Sequence, residues 1–177
     1  MKLRFLFALP LVFAAFSAAK AEPIDLGADL PAVTGTTETG EPLDFATLRK
    51  GYTFVYFFPR AFTPGCTAQG CSLRDSYDKL RQRGVTVIGV STDPASKEKS
   101  FKEKEHFPFT LVGDPDQKII GAFGVPTRGT GSDAIAIRQA YLFKDGKLVW
   151  RDLRAKTTMQ ADDLIKALDA QQAGQKS

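Results

Sequence analysis

After residue 22, two continuous apolar runs interrupt an otherwise mixed sequence, at residues 53–58 and 85–91. Both are rich in β-branched or aromatic residues, and both are as short as strands rather than helices. An unbroken apolar run predicts a strand that is covered on both faces, as in a parallel sheet. Further strands are predicted at residues 109–112, 135–143 and 147–153, with a hairpin turn at Asp145-Gly146 and a turn region at residues 35–40.

Between the two runs, the apolar spacing becomes helical. Leu73, Tyr77 and Leu80 recur at the i, i+4 and i+7 positions of one face, which predicts a helix over residues 66–83. Other helices are predicted at residues 94–106, 117–123 and 159–171, with a short one at 45–48 that Asp44 caps. This order of elements predicts an α/β fold of the thioredoxin-like type, a central mixed β-sheet flanked by helices.

The first 21 residues have the pattern of a targeting segment. Lys2 and Arg4 precede an apolar stretch at residues 5–16, and Ala19-Lys20-Ala21 fits the small-residue pattern of a cleavage site. We therefore predict a cleaved signal peptide at residues 1–21, one folded domain at residues 22–177 and a periplasmic location. An uncleaved N-terminal anchor is the alternative.

Charge and composition exclude several classes of partner. Without the three basic residues of the leader, the formal net charge falls from +4 to +1. No basic stripe is interleaved with aromatic residues, so nucleic-acid binding has no support. No stretch after residue 22 is apolar enough to cross a membrane. We expect a monomer that binds neither nucleic acid nor membrane.

Two cysteines, Cys66 and Cys71, lie near the start of the predicted helix, after the turn formers Pro64 and Gly65. Partial positive charge and unpaired N–H groups at a helix N-terminus favour a thiolate over a thiol. On a regular helix, five residues correspond to a rise of about 7.5 Å and a rotation of about 140°. A disulfide needs Cα atoms within about 7 Å, so bridging this pair requires the first turns to unwind. The spacing therefore favours a redox pair over the structural disulfide that is usual in exported proteins.

Such a pair suits the reduction of a peroxide. The Cys66 thiolate would attack the O–O bond and become a sulfenic acid, and Cys71 would condense with it to a disulfide that a dithiol partner reduces. Alternatives are a thioredoxin-like thiol-disulfide oxidoreductase, which usually has C-x-x-C, and a SCO-like copper chaperone, which uses C-x-x-x-C and a distant histidine. The chain has neither spacing, and its single histidine, His106, ends a charged helix. A non-enzymatic redox-sensing module is a further alternative.

The run FTPGCTAQGCSLRD, with Pro59-x-x-x-Thr63-x-x-Cys66, resembles the P-x-x-x-T-x-x-C active-site motif of the peroxiredoxins. It is most similar to the PrxQ, or bacterioferritin-comigratory-protein, branch of this AhpC/TSA-like family, which places a resolving cysteine five positions on. The likeness covers nearly the whole mature chain. It implies a peroxidase acting on hydrogen peroxide and organic hydroperoxides, a thioredoxin-like reductant protein as partner, and neither cofactor nor metal.

The resemblance also implies roles for individual residues. Pro59 would shield the thiolate, and the Thr63 hydroxyl would hydrogen-bond the sulfur and the peroxide. Arg138, on a late strand, would stabilise the thiolate and the developing oxygen charge. The N–H groups of Gly65 and of the cysteine after it would be further donors, and Phe62 would line the substrate pocket.

Three positions depart from the pattern of this branch. Gln69 stands where Glu is usual, Gly70 replaces a residue that favours helix, and Ala140 stands where Thr or Ser is usual. Gly70 is predicted to ease unwinding of the helix by about 1 kcal/mol relative to Ala. Arg74 and Arg128 are rival cations for the site, and we expect both at the surface.

Overall fold

The computed structural model describes residues 22–174. The predicted signal peptide at residues 1–21 and the last three residues of the predicted domain lie outside this range. The strands are β1 (Thr34–Thr37), β2 (Pro42–Asp44), β3 (Tyr52–Phe57), β4 (Val85–Ser91), β5 (Thr110–Gly113), β6 (Thr127–Arg128), β7 (Ile135–Ala136), β8 (Gln139–Lys144) and β9 (Lys147–Asp152). The helices are α1 (Pro64–Asp75), α2 (Tyr77–Gln82), α3 (Ala95–Glu105), α4 (Lys118–Ala122) and α5 (Gln160–Ala173), with 3₁₀ turns at Phe45–Leu48 and Gly131–Asp133.

Seven of the strands form one mixed sheet in the order β2-β1-β5-β4-β3-β8-β9. The apolar runs form β3 and β4, which pair in parallel along the whole length of β3, and β4 pairs in parallel with β5. On the other side, β8 and β9 add an antiparallel hairpin to β3. The predicted α/β class, with a central mixed sheet flanked by helices, is confirmed. No helix within the described residues is long and apolar enough to cross a membrane.

The two faces of β3 supply two separate cores. Phe54 and Tyr56 belong to the core that includes side chains of α1, α2, α3 and α5. Val55 and Phe57 belong to the core on the opposite face, which includes α4 and the N-terminal segment. Because successive strand residues point to opposite faces, a fully apolar strand is what a sheet covered on both sides requires. The strand β3 is therefore a rigid base for the loop that follows it.

The predicted helix over residues 66–83 is two helices. Ser76, with φ −106° and ψ 5°, ends α1, and α2 begins at the next residue. The apolar spacing continues across this break, with Leu73 and Leu80 both buried in the same core. Hydrophobic periodicity reports which side is buried, and it does not report a local change of backbone direction when the same side stays buried.

The predicted strand over residues 135–143 is also divided. Its first two residues form β7, which pairs with β6 away from the main sheet, and β8 begins only at Gln139. Between them, the N–H of Ile137 donates to the carbonyl of Pro126 at 2.8 Å. Arg138 therefore lies in the gap between two strands, just before β8 enters the main sheet.

Candidate active site

Cys66 is the third residue of α1, and its side chain is buried, with 1% of the residue exposed. The first i→i−4 bond of this helix runs from the Thr67 N–H to the Thr63 carbonyl at 2.9 Å. The N–H groups of Gly65 and Cys66 precede that bond and have no carbonyl partner within the helix. The sulfur thus lies at the positive end of a helix dipole and is protected from bulk water.

Arg138 lies directly beside this sulfur. Its Nη2 atom is 3.3 Å from Cys66 Sγ, and its Nη1 atom donates to Gln69 Oε1. A Cβ atom on Gly65 would lie 3.4 Å from Arg138 Nη2 and equally close to Thr157, so this glycine leaves the guanidinium its space. The structure brings together Cys66, Gly65, Gln69 and Arg138, all four of which the sequence analysis singled out, and it places a permanent cation against the sulfur.

Gln160 is a part of the site that the sequence analysis missed. It begins α5 and is fully buried, and its Oε1 accepts a hydrogen bond of 2.7 Å from Gln69 Nε2. A signal was available, since Gln160 precedes Leu164 and Ala167 by four and seven positions and so lies on the inward face of the last helix. A polar residue on an apolar face needs a buried partner, and the sequence does not say which one.

The other predicted site residues lie in the loop between β3 and α1. Thr63 is the N-cap residue of α1, and its hydroxyl donates to the Arg60 carbonyl at 3.0 Å rather than to the sulfur. Pro59 is partly buried at the start of the loop. Phe62 has a positive φ of 67°, is 39% exposed and packs on Phe101, with ring centroids 5.1 Å apart. An aromatic residue held in this strained backbone region gives the loop an exposed apolar edge.

Cys71 lies on the same helix as Cys66, and both are free thiols in the structure. Cys71 is partly buried, with Sγ 4.0 Å from Glu105 Oε2. Burial raises the pKa of the Cys71 thiol, and nearby Arg74 acts in the opposite direction. Arg74 donates from Nη1 to the Glu105 carbonyl at 2.7 Å, and Arg128 is exposed on β6, so neither rival cation contacts the Cys66 sulfur.

Gly70, predicted to ease unwinding, has a packing role in the structure. A Cβ atom at this position would lie 2.3 Å from Cζ of Phe107, which is closer than any side chain tolerates. Phe107 in turn stacks on Phe109 and meets Phe101 edge-on, with ring centroids 5.2 and 5.0 Å away. The absent side chain lets an aromatic cluster approach the backbone of α1 between the two cysteines. Its predicted effect on unwinding stays a prediction.

Two buried acidic residues, Asp93 and Glu98, lie next to each other, and Asp93 bonds the loop between β3 and α1. The Ala61 N–H donates to Asp93 Oδ2 at 2.6 Å, and Asp93 is also paired with Lys97 at 2.7 Å. Ser91 Oγ lies 2.5 Å from Glu98 Oε1 and 3.3 Å from Asp93 Oδ2. Burial is the main reason that the pKa of Glu98 rises to about 8. Glu98 therefore keeps its proton in the folded protein at a pH at which an exposed carboxyl has lost it.

We expect the Glu98 carboxyl to make the folded state less stable as the pH rises from about 4.5 to about 8. Over this window the folded state holds a proton that the unfolded state has released, so the free energy of unfolding decreases with pH. The two pKa values set an upper limit of about 4–5 kcal/mol on the loss. Glu98→Gln cannot titrate, so its unfolding free energy, measured by urea denaturation, should fall less steeply over this range than that of the wild type.

The control for this measurement is Glu103→Gln, at an exposed position of the same helix. It should keep the wild-type slope of unfolding free energy against pH. Equal slopes for Glu98→Gln and the wild type would show that Glu98 does not hold a proton in the folded state.

Comparison with known families gives a match that covers most of the chain. The model of the AhpC/TSA family matches residues 26–151. Peroxiredoxin Bcp of Escherichia coli K12 is 41% identical over 103 residues, 58% of this chain and 66% of that protein. The chloroplastic peroxiredoxin Q of Suaeda salsa is 36% identical over 133 residues, 75% of this chain and 61% of that protein. The chain thus spans slightly less than two thirds of these relatives' own length.

Solved structures give the same result over more of the chain. Peroxidoxin BcpB of Mycobacterium tuberculosis superposes with a TM-score of 0.76 at 27% identity, covering 82% of this chain and 96% of that one. The bacterioferritin comigratory protein of Xanthomonas campestris, studied for its alkyl peroxide reduction activity, superposes with a TM-score of 0.73 at 26% identity, covering 83% and 99%. The resemblance stated from the active-site motif is confirmed, as is the thioredoxin-like fold.

Proposed function

Because the chain belongs to the AhpC/TSA family, we propose that it is a thiol-dependent peroxidase that reduces hydrogen peroxide and organic hydroperoxides. The observation that carries this proposal is the buried Cys66 sulfur at the head of α1, 3.3 Å from Arg138 Nη2. The relatives named peroxiredoxin Bcp and peroxiredoxin Q support the same activity.

The first step oxidises Cys66. Its thiolate attacks the terminal oxygen of the hydroperoxide, the S–O bond forms as the O–O bond breaks, and the sulfur becomes a sulfenic acid. The leaving alkoxide or hydroxide takes a proton from solvent. Negative charge moves from the sulfur to the leaving oxygen, so Arg138 and the N–H groups of Gly65 and Cys66 act as donors prepared for that charge.

The second step forms the Cys66–Cys71 disulfide. Both residues belong to one continuous helix, so the first turns of α1 must open before the sulfurs can meet. The Cys71 sulfur then attacks the sulfenic sulfur, water leaves, and the disulfide prevents further oxidation. A thioredoxin-like dithiol protein supplies two electrons and two protons to restore both thiols. Since one chain holds both cysteines, the cycle can proceed in a monomer.

Mass spectrometry after one equivalent of hydrogen peroxide tests this cycle. The wild-type chain should lose the mass of two hydrogens, and peptide mapping should link Cys66 to Cys71. Cys71→Ser should instead retain a sulfenic acid that dimedone traps, and excess peroxide should add further oxygen atoms to Cys66. A disulfide between two chains, or unmodified thiols, would contradict the proposed cycle.

We also propose that the protein acts in the periplasm after removal of residues 1–21. The basic start, the short apolar stretch and the Ala19-Lys20-Ala21 pattern of the sequence support this. Cell fractionation combined with N-terminal sequencing, expected to give Glu22 as the first residue, provides the test.

A further inference from the structure

Two buried glutamines join the last helix to the active-site arginine. Gln69 on α1 and Gln160 on α5 are both fully buried. The Gln69 amide accepts from Arg138 Nη1 through Oε1 and donates through Nε2 to Gln160 Oε1 at 2.7 Å. Arg138 then donates from Nη2 to Cys66 Sγ at 3.3 Å. A continuous series of hydrogen bonds therefore runs from the first residue of α5 to the reactive sulfur.

The direction of these bonds depends on the chemistry of an amide. Arginine is a donor only, so it requires the oxygen of Gln69, and the nitrogen of Gln69 must then point away from Arg138. If the Gln69 amide were rotated by half a turn, its N–H₂ group would face the guanidinium, donor against donor. A glutamate at position 69 would have an oxygen in either orientation and would need no such control. With a glutamine there, only one orientation of the amide suits the arginine, and an acceptor that faces Nε2 controls the amide by stabilising that orientation.

Gln160 supplies that control through its acceptor atom alone. Its Nε2 atom is buried and has no hydrogen-bond partner among residues 22–174. A buried donor without a partner is unfavourable, so a side chain that only filled space here would be better apolar. The oxygen of Gln160 is the part of the side chain that makes a bond, and that bond goes to Gln69.

We propose that Gln160 is a positioning residue for Cys66, which acts by holding the Gln69 amide oxygen toward Arg138. This inference rests on the proposed function in that the sulfur it serves is the reacting atom. Without the acceptor at position 160, Gln69 is free to turn, Arg138 loses a fixed partner, and its Nη2 atom no longer stays beside the sulfur. The consequence is a slower oxidation of Cys66, although Gln160 itself does not touch the sulfur.

The test compares Gln160→Met with Gln160→Glu. Methionine keeps the length of the side chain but removes the acceptor, so the second-order rate of Cys66 oxidation by hydrogen peroxide should fall about tenfold, the equivalent of one lost hydrogen bond. Glutamate keeps the acceptor and should restore most of that rate. Gln160→Asn shortens the side chain by one methylene and moves its amide away from Gln69, so it should also lower the rate of Cys66 oxidation. This variant provides the test if Gln160→Met does not fold.

Ser72→Ala is the matched control. The Ser72 hydroxyl accepts from the Ala161 N–H at 3.1 Å, so this bond also joins α1 to α5 but does not lead to Arg138. Its loss should lower stability by an amount similar to that caused by Gln160→Met and change the oxidation rate less than about twofold. If the two variants lose rate in parallel with stability, Gln160 is only a structural residue and the proposal is wrong.

A readout independent of peroxide separates this inference from the proposed function. In a Cys71→Ser background, Cys66 is the only thiol of the chain, and its alkylation by iodoacetamide can be followed against pH. Gln160→Met should shift this profile to higher pH, and Ser72→Ala should not. If the alkylation profile shifts but the chain consumes no peroxide, the proposed peroxidase function is wrong and the positioning role of Gln160 still holds. If the profile does not shift, the positioning role is wrong.

The most specific test compares the effect of Gln160→Met in the wild-type chain with its effect in a Gln69→Glu chain. In a Gln69→Glu chain, the oxygen facing Arg138 no longer depends on Gln160, so Gln160→Met should change the oxidation rate less than about twofold. An equal loss in both backgrounds would contradict the proposed action through Gln69.

Discussion

Replacing Cys66 with Ser is expected to reduce peroxide consumption to the uncatalysed level, a loss of at least about 10⁴-fold. A serine hydroxyl does not ionise in the range in which a thiol does, and it forms no sulfenic acid, so the chain loses the atom that accepts oxygen. The substitution is nearly isosteric, and its position is buried at the start of α1, where the hydroxyl can accept the same bond from Arg138. The measurement is the disappearance of hydrogen peroxide with dithiothreitol as the electron donor.

The matched control is Cys71→Ser, five residues along the same helix. It should reduce one equivalent of peroxide at close to the wild-type rate and then depend on the external thiol for each further cycle. The circular dichroism spectrum of Cys66→Ser and its free energy of unfolding, measured by urea denaturation, should remain close to those of the wild type. Lost activity then cannot be attributed to unfolding. Continued turnover by Cys66→Ser would remove the basis of the proposed function.

Much of the fold follows from local pattern in the sequence. The run at 85–91 is a strand with the predicted bounds, the 3₁₀ turn Phe45–Leu48 is capped by Asp44 as predicted, and Asp145-Gly146 joins the predicted hairpin. Each of these features is determined by residues within a few positions of one another, through burial of a whole strand or through turn and capping chemistry. For the same reason, the motif from Pro59 to Cys66 could be found without any tertiary information.

Features that depend on distant residues could not be found in this way. The partner of Gln69 lies 91 positions away at Gln160. The reason for Gly70 is the ring of Phe107, which lies in the segment that follows α3. The position of Arg138 in a gap between strands follows from a backbone bond between Ile137 and Pro126. Local periodicity reports burial and backbone type, whereas these pairings are set by how separate elements meet.

The location of the hydrogen bonds between α1 and α5 has a consequence for the proposed redox cycle. Gln69 lies between Cys66 and Cys71, and Ser72 follows directly, so both hydrogen bonds to α5 come from the part of α1 around the cysteines. In the proposed cycle, opening the first turns to form the disulfide would break the bond from Gln69 to Gln160. The bonds that hold Arg138 beside the sulfur would therefore also oppose unwinding of this part of α1.

Replacing Arg138 with Met is expected to slow the oxidation of Cys66 about 10²- to 10³-fold, the usual effect of removing one donor prepared for transition-state charge. The guanidinium Nη2 lies 3.3 Å from the sulfur, and water in its place would supply no positive charge. Methionine fills a similar volume without charge or donors, and it leaves the buried Gln69 oxygen without its bond. We therefore also expect a loss of about 1–3 kcal/mol in the free energy of unfolding.

Single-turnover mixing with peroxide, quenched at set times with an alkylating reagent, separates the oxidation step from resolution and reduction. Arg138→Lys keeps the charge but cannot bond the sulfur and Gln69 together, so its rate should fall between those of Arg138→Met and the wild type. Arg74→Met is the control, since Arg74 bonds the Glu105 carbonyl and Asp75 instead of the sulfur, and its oxidation rate should change less than about twofold. If Arg138→Met oxidises within about threefold of the wild type, the cation does not act on the transition state, and stabilisation of the developing charge must come from the N–H groups at the head of α1.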